Sequence, residues 1–184
     1  MLKLCGIDEA GRGCLAGPLV VAGVVLRESI LGLNDSKVLS EKERERLFDI
    51  IQENADSKIV FCDNTMVDEK GLSACLKFAI ETIKDHFQEH DILMDGNCTF
   101  GVLGIRTLIK ADATIPEVSA ASILAKVSRD RYMKEVAPLY PQYRFETHKG
   151  YGSALHVKAI KEHGYCDLHR KSFKIKELNQ PSLF

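Results

Sequence analysis

The run GIDEAGRGCLAGPLVVAGVVL, Gly6 to Leu26, decides between two folds that begin alike. The apolar stretch Leu4–Asp8 suits a buried strand, and it ends in two adjacent acids, Asp8 and Glu9. Gly11, Gly13 and Ala16 then satisfy G-x-G-x-x-A, a pattern that cradles a dinucleotide pyrophosphate just after a strand. That pattern needs a helix next, so that its N-terminus meets the phosphates. Here Pro18 follows instead, with the β-branched run PLVVAGVVL (Pro18–Leu26) that suits a central strand. Neighbouring carboxylates would also repel a pyrophosphate. The chain opens strand–turn–strand, and a dinucleotide-dependent oxidoreductase is contradicted.

Outward from this stretch, Ser40 with Glu43 predicts a capping-box helix to about Asn54. Lys58–Cys62 reads as a strand. Asp68 or its neighbours open a helix to about Phe87, whose Leu72, Cys75, Leu76, Ala79, Ile80 and Ile83 share one apolar face. Asp91–Asp95 and Gly104–Lys110 read as strands, and Val118–Ala137 as a helix with small residues for close packing. From about Pro141 the chain turns basic and aromatic, suiting a small helical appendage. The order argues a mixed α/β sheet with helices on both faces.

Three acidic sites share one address. Asp8-Glu9, Asp95 and Asp112 each follow an apolar strand at or just beyond its C-terminal end, the edge where α/β sheets bind ligands. If those strands are neighbours, the carboxylates converge and repel, raising one another's pKa. Hard divalent cations relieve this, and two ions on shared carboxylates form an apparatus for in-line displacement at phosphorus. Each acid also has a structural reading: Asp95-Gly96 is a common turn signal, Asp112 could cap a turn, and Asp8-Glu9 could simply end a strand. The glycines beside Arg12 expose backbone groups that let a sugar–phosphate chain approach, where a ribose 2′-hydroxyl can be sensed.

The 184 residues suffice for one sizeable domain with a small appendage. Hydrophobic residues at 45% and charged residues at 28% give an ordinary globular composition. No apolar run approaches the length of a membrane span, and the N-terminus lacks a signal-peptide layout. A cytoplasmic, monomeric protein is expected. The six cysteines are scattered singly and read as small buried residues, while His86 and His90 read as the polar end of a helix. The net charge of −1 conceals an asymmetry, −7 over residues 1–100 and +6 over residues 101–184. A polyanion could dock on the basic half while acids elsewhere do chemistry.

These motifs together resemble one family, the bacterial ribonucleases HII. The resemblance rests on GIDEAGRG with GPLVVAGVVL, DSK (Asp35–Lys37), MDG (Met94–Gly96), KAD (Lys110–Asp112), SAASILAKVSRDR (Ser119–Arg131), HKGYGS (His148–Ser153) and HRKSF (His169–Phe173). Their order is the family's, and they span nearly the whole chain. The sister ribonucleases HIII carry an extra N-terminal domain and lack the Gly-Arg-Gly. Ala111 in KAD replaces the more usual glycine.

The resemblance implies an RNase H-like mixed sheet flanked by helices, with a C-terminal helical extension. The expected division is a catalytic domain over 1–140, a substrate-binding extension over 141–176 and a flexible tail over 177–184. It implies endonucleolytic cleavage of RNA in RNA/DNA hybrids and at single ribonucleotides in duplex DNA. Asp8, Glu9, Asp95 and Asp112 become the catalytic acids, binding Mg²⁺ or Mn²⁺, two ions with substrate present. Gly11, Arg12 and Gly13 would contact the ribose at the RNA–DNA junction, and Tyr151 would pack on that sugar. Ser36 and Lys37 become phosphate contacts, with Lys126, Lys149, His169 and Arg170 as further candidates for which a structural role is the equal alternative. Asp130 reads as an ion-pair partner for Arg129 or Lys126. The ending QPSLF resembles the pentapeptide with which bacterial proteins grip the replication sliding clamp, Gln180, Leu183 and Phe184 fitting and Pro181 departing. A nucleic-acid-binding or clamp-associated protein without catalysis is the competing reading.

Overall fold

The computed structural model describes residues 3–175. Five strands, β1 (Leu4–Ala10), β2 (Leu19–Leu26), β3 (Ala55–Cys62), β4 (Asp91–Asp95) and β5 (Arg106–Leu108), form one sheet in the order β3-β2-β1-β4-β5. The first three pair antiparallel, while β4 and β5 join β1 in parallel. Between the strands run α1 (Glu41–Asn54), α2 (Asn64–Lys70) and α3 (Leu72–His86). After β5 come α4 (Pro116–Val136), α5 (Phe145–His148) and α6 (Ala154–His163). The parallel pairing of β1 and β4 needs a long crossover, which α2 and α3 supply.

Strand alternation sorts the core into two layers. Leu19, Val21 and Val25 of β2 face α3, meeting Cys75, Leu76, Ala79, Ile80 and Ile83. Val20, Ala22 and Val24 face the other way, against Leu47 and Ile51 of α1 and the alanine-rich middle of α4. Every residue of α4 from Val118 to Ala125 is buried, so small side chains let it lie flat across the sheet.

Most expected elements form, with local differences. The helix expected from Asp68 is two: Asp63 caps α2 by accepting from the Met66 amide at 2.7 Å, and Gly71 at φ 81° breaks the run before α3. Asp68 caps nothing. Its carboxylate accepts the amides of Lys171 (2.8 Å) and Ser172 (3.0 Å), fastening the C-terminal segment to α2. The capping box of α1 forms as the sequence demands. β5 is shorter than Gly104–Lys110, because Lys110 turns into the left-handed region at φ 60° and starts a 3₁₀ turn over Ala111–Ala113.

The C-terminal part has its own small core of Met133, Tyr143, Phe145, Ala159, Ile160 and Leu168. Backbone bonds lace it to the loop after β1: Leu15 N–H donates to Gly150 (2.9 Å), Gly17 N–H to Leu168 (2.8 Å), and Arg170 N–H to Leu15 (2.8 Å). Beneath lie three histidines in contact: half-buried His148 stacks on buried His156, and buried His169 tilts against His156. His169 and Arg170, each 1% exposed, are therefore structural groups here and not free phosphate contacts.

Burial holds His156 and His169 at about 4, below their ordinary 6.5, so the folded state takes up fewer protons than the unfolded chain between those values. Their contribution is whole above about pH 6.5 and is lost as pH falls toward 4, a shift of this size being worth about 3 kcal/mol per histidine. The groups facing them are His148, Tyr143, Tyr165, Cys166 and, as a cation, Lys171; none is a carboxylate. Acid should loosen this extension before the sheet. Hydrogen exchange, corrected for intrinsic rates, should show α6 protection falling between pH 7 and 4.5 while β1 and β2 stay protected. Equal protection of α6 at both values would refute this.

Candidate active site

The parallel register sets Ile7 beside Met94, so the next residues, Asp8 near the end of β1 and Asp95 at the end of β4, come side by side. The Asp95 Oδ1 accepts the Ala111 amide at 2.8 Å, which draws the 3₁₀ turn and Asp112 toward the strand ends. Ser119 of α4 secures the turn from behind, its hydroxyl donating to the Asp112 carbonyl at 2.6 Å. Glu9 follows Asp8 within β1, paired opposite Val21 of β2. All four acids thus reach one end of the sheet through three different elements.

Asp8 is 5% exposed and Asp112 3% exposed. Burial pushes the Asp8 carboxyl up to about 8; repulsion from Glu9 and, less, Asp95 adds to this, against bonds from Ser122 and the Glu9 amide. Burial also raises Glu9, although Arg12 opposes the shift with Nη1 3.4 Å from Oε1. Asp112 is raised by burial and by Asp95, opposed by Lys37 with Nζ 3.3 Å from Oδ2. These are crowded carboxylates that want a cation.

Asp8, Glu9 and Asp95 line an open cleft of about 260 Å³ with Gly11, Arg12, Gly13, Ser36, Lys37, Ser122, Lys126 and Tyr151. Asp112 stands just behind it, reaching it through Lys37. Larger hollows lie between α3 and the 101–103 loop (about 490 Å³) and beside α6 (about 400 Å³), but neither gathers these acids. Chemistry, not size, marks the site. Among the described residues no three His, Cys, Asp or Glu side chains form a ready cage for an ion. The all-carboxylate donor set still fits a hard divalent cation that completes its shell with water and phosphate oxygens.

Each expected residue has a definite place. Gly11 adopts φ +89°, and a Cβ there would lie 2.1 Å from Arg129 Nε, so only glycine fits. Arg12 lies over Phe100, 5.3 Å from the ring centre. Ser36 is buried with its hydroxyl 2.8 Å from that of Ser122, whereas Lys37 is open to solvent. Tyr151, 40% exposed, presents its ring under Lys126 and Arg129 at 5.2 and 5.4 Å. Lys126 pairs with Asp130 at 2.8 Å, as expected for that acid. Lys149 is half-buried, with its carbonyl taken by Arg129. Gln180, Leu183 and Phe184 lie outside the described residues.

Sequence reasoning overlooked Ser122 and Arg129. Ser122 sits between Ser36 and Asp8, and Arg129 holds three backbone carbonyls around the Gly-Arg-Gly loop. A signal existed: Ser119, Ser122, Lys126, Arg129 and Met133 recur at three- and four-residue intervals, one stripe of a helix.

A mixed sheet with carboxylates at the ends of its central parallel strands defines a protein of ribonuclease H-like fold. The family model described as ribonuclease HII matches residues 5–176. Ribonuclease HII of Aliarcobacter butzleri is 60% identical over 182 residues, covering 98% of this chain and 95% of that protein. Among solved structures, the Archaeoglobus fulgidus ribonuclease HII, determined in complex with PCNA, superposes with a TM-score of 0.82 at 28% identity, covering 99% of this chain and 98% of that one. Ribonuclease H2 of Pyrococcus horikoshii follows at 0.78 and 26%, covering 94% of each. The chain belongs to the ribonuclease HII family.

Proposed function

We propose that this protein is an endoribonuclease that hydrolyses RNA in RNA/DNA hybrids and cuts 5′ of single ribonucleotides in duplex DNA, leaving 5′-phosphate and 3′-hydroxyl ends. The observation that carries this reading is the meeting of Asp8, Glu9 and Asp95 with the Gly11–Gly13 loop and Tyr151 in one cleft. Asp8, Glu9, Asp95 and Asp112 would hold Mg²⁺ or Mn²⁺, two ions with substrate present. When bound, such ions supply a water of lowered pKa and neutralise charge developing on the phosphodiester.

The chain's own groups do the rest. Gly11 and Gly13 let the sugar approach the backbone, whose polar groups meet the 2′-hydroxyl. Arg12 and Lys37 stand beside Glu9 and Asp112, placed to balance charge and to meet phosphate oxygens. Ser36 holds Ser122, which in turn supports Asp8. The Tyr151 ring packs on the junction ribose, its own position set by the cations above it. Residues 1–140 form the catalytic body and 141–176 the substrate-binding extension of a monomer. The competing non-catalytic reading leaves the crowded acids without a purpose.

The test is a labelled DNA duplex bearing one ribonucleotide, beside an all-DNA control and a uniform hybrid, with Mg²⁺, Mn²⁺ or EDTA. Cutting 5′ of the ribonucleotide that EDTA abolishes is expected; none with either metal defeats the reading. In the same assay Tyr151→Ala should lose about tenfold or more on the single-ribonucleotide duplex, and less on the hybrid, if stacking contributes 1–3 kcal/mol. Equal losses on both would remove its junction role.

The tail reading extends to a partner. The A. fulgidus relative was solved with PCNA, a sliding clamp, and Gln180, Leu183 and Phe184 supply the side chains for a pocket-docking segment. Deleting Gln180–Phe184 should abolish capture by the bacterial clamp while cleavage of naked duplex persists. Clamp capture that survives the deletion would exclude the tail. No helix among the described residues is long and apolar enough to cross a membrane.

A further inference from the structure

We infer that His156 is a positioning residue for Tyr151, held in one tautomer by a one-way chain of hydrogen bonds that begins at the Cys166 amide and passes through His169. The inference rests on the reading of Tyr151 as the ribose-contacting residue. The direction of the chain follows from its two ends. The Cys166 N–H donates to His169 Nδ1 at 2.8 Å, so that nitrogen carries no proton and His169 Nε2 carries one. At the other end His156 Nδ1 lies 2.9 Å from the Tyr151 carbonyl, which can only accept, so Nδ1 carries the proton there. His156 Nε2 is then a bare acceptor, 3.1 Å from the His169 Nε2 that donates to it.

Each bond thereby requires the next. A proton added at His156 Nε2 would face the His169 Nε2–H across 3.1 Å, and one added at His169 Nδ1 would face the Cys166 N–H across 2.8 Å, in a site where both rings are at most 1% exposed. A flip of either tautomer would leave a buried nitrogen unpaired.

His148 fixes the same turn from its other side. It accepts the Gly150 amide at Nδ1 (3.2 Å), which sends its Nε2 proton to the Tyr143 carbonyl at 2.8 Å. It stacks on His156 with ring centres 4.3 Å apart. The turn leading into Tyr151 is thus tied by histidines from α5, from α6 and from the segment after α6. The third, His169, itself touches the loop after β1, pairing in an isolated bridge with Ala16. A path of hydrogen bonds therefore runs from the C-terminal segment to the residue that faces the sugar. Its chemistry is orientation and not proton transfer, since no member reaches the cleft acids.

Two measurements test this. The first uses the full chain, ¹⁵N-labelled at histidine, near pH 7.5. Long-range proton–nitrogen spectra should show the Nδ1–H form for His156 and the Nε2–H form for His148 and His169. An Nε2–H form at His156, or averaged tautomers at His156 and His169, overturns the chain. The second compares kcat/KM on the single-ribonucleotide duplex with that on the uniform hybrid. His169→Phe, which cannot donate, should lower that ratio about tenfold, the cost of an unpaired buried acceptor. His169→Gln places an amide N–H near the lost Nε2–H and should restore the ratio to within about twofold. Equal ratios in wild type and His169→Phe, or no rescue by glutamine, overturn the positioning role. If His169→Phe does not fold, the wild-type spectra decide. Tyr151→Ala runs alongside: an unchanged ratio there removes the ribose reading of Tyr151, while the spectra still judge the chain itself.

Discussion

Replacing Asp95 with asparagine should nearly abolish cleavage while the protein still binds the duplex. The substitution keeps the acceptor that receives the Ala111 amide, so the 3₁₀ turn carrying Asp112 stays in place. What disappears is one of four carboxylates at the sheet's end, and the site's demand for divalent ions falls with it. Losing about 4 kcal/mol of transition-state charge stabilisation corresponds to roughly a 10³-fold slower single turnover. Duplex affinity should hold or improve, because a carboxylate that faces phosphates is gone. Asp8 and Asp112, both raised partly by Asp95, should be relieved as well, so the melting temperature without metal should rise. Rapid-quench cleavage, fluorescence anisotropy and thermal melts measure the three effects. Undiminished turnover would take Asp95 out of the catalytic set.

The sheet and its acids were legible because each obeys a local rule. A short apolar run gives β1, a β-branched run gives β2, a capping box gives α1, and acids after apolar runs mark the ligand edge. What stayed hidden depends on through-space partners. Nothing near Asp68 announces that its carboxylate will bind the amides of Lys171 and Ser172 a hundred residues away. The break at Gly71 was missed because the apolar stripe of α3 starts right after it and masks the boundary. Asp112 lay within reach of the sequence but in another local structure, since the left-handed Lys110 is a backbone choice that lysine does not advertise. The basic residues after Pro141 divided for the same reason. Lys149 stays half-open at the turn, whereas His169 and Arg170 vanish beneath the loop after β1, and composition cannot separate a docking charge from a buried strut.

Arg129 shows how much that hidden layer contributes. It is fully buried, and its guanidinium donates to Pro18 O (2.8 Å), Ala16 O (2.9 Å) and Lys149 O (2.8 Å). One side chain from α4 therefore ties the loop after β1 to the turn before Tyr151, and it lies against Gly11 where any Cβ would collide. Arg170 works in parallel from the C-terminal segment, donating to Gly17 O (3.0 Å) and Arg12 O (3.1 Å). The Gly-Arg-Gly loop is shaped by two buried guanidiniums bonded to carbonyls on and around it. Arg129→Met keeps the stem and removes the donors, leaving three buried carbonyls unpaired. The expected cost is about 3–5 kcal/mol in urea unfolding, the range for breaking a buried charged network. Arg129→Lys should recover only part, because one ammonium on a flexible stem cannot reproduce the planar fork. The loss should appear in the ribonucleotide assay too, with the single-ribonucleotide substrate suffering more than the hybrid, since the loop and Tyr151 lose their common anchor. A methionine variant within about 1 kcal/mol of wild type, below the usual cost of an unpaired buried group, would mean the loop and the extension hold their geometry without it.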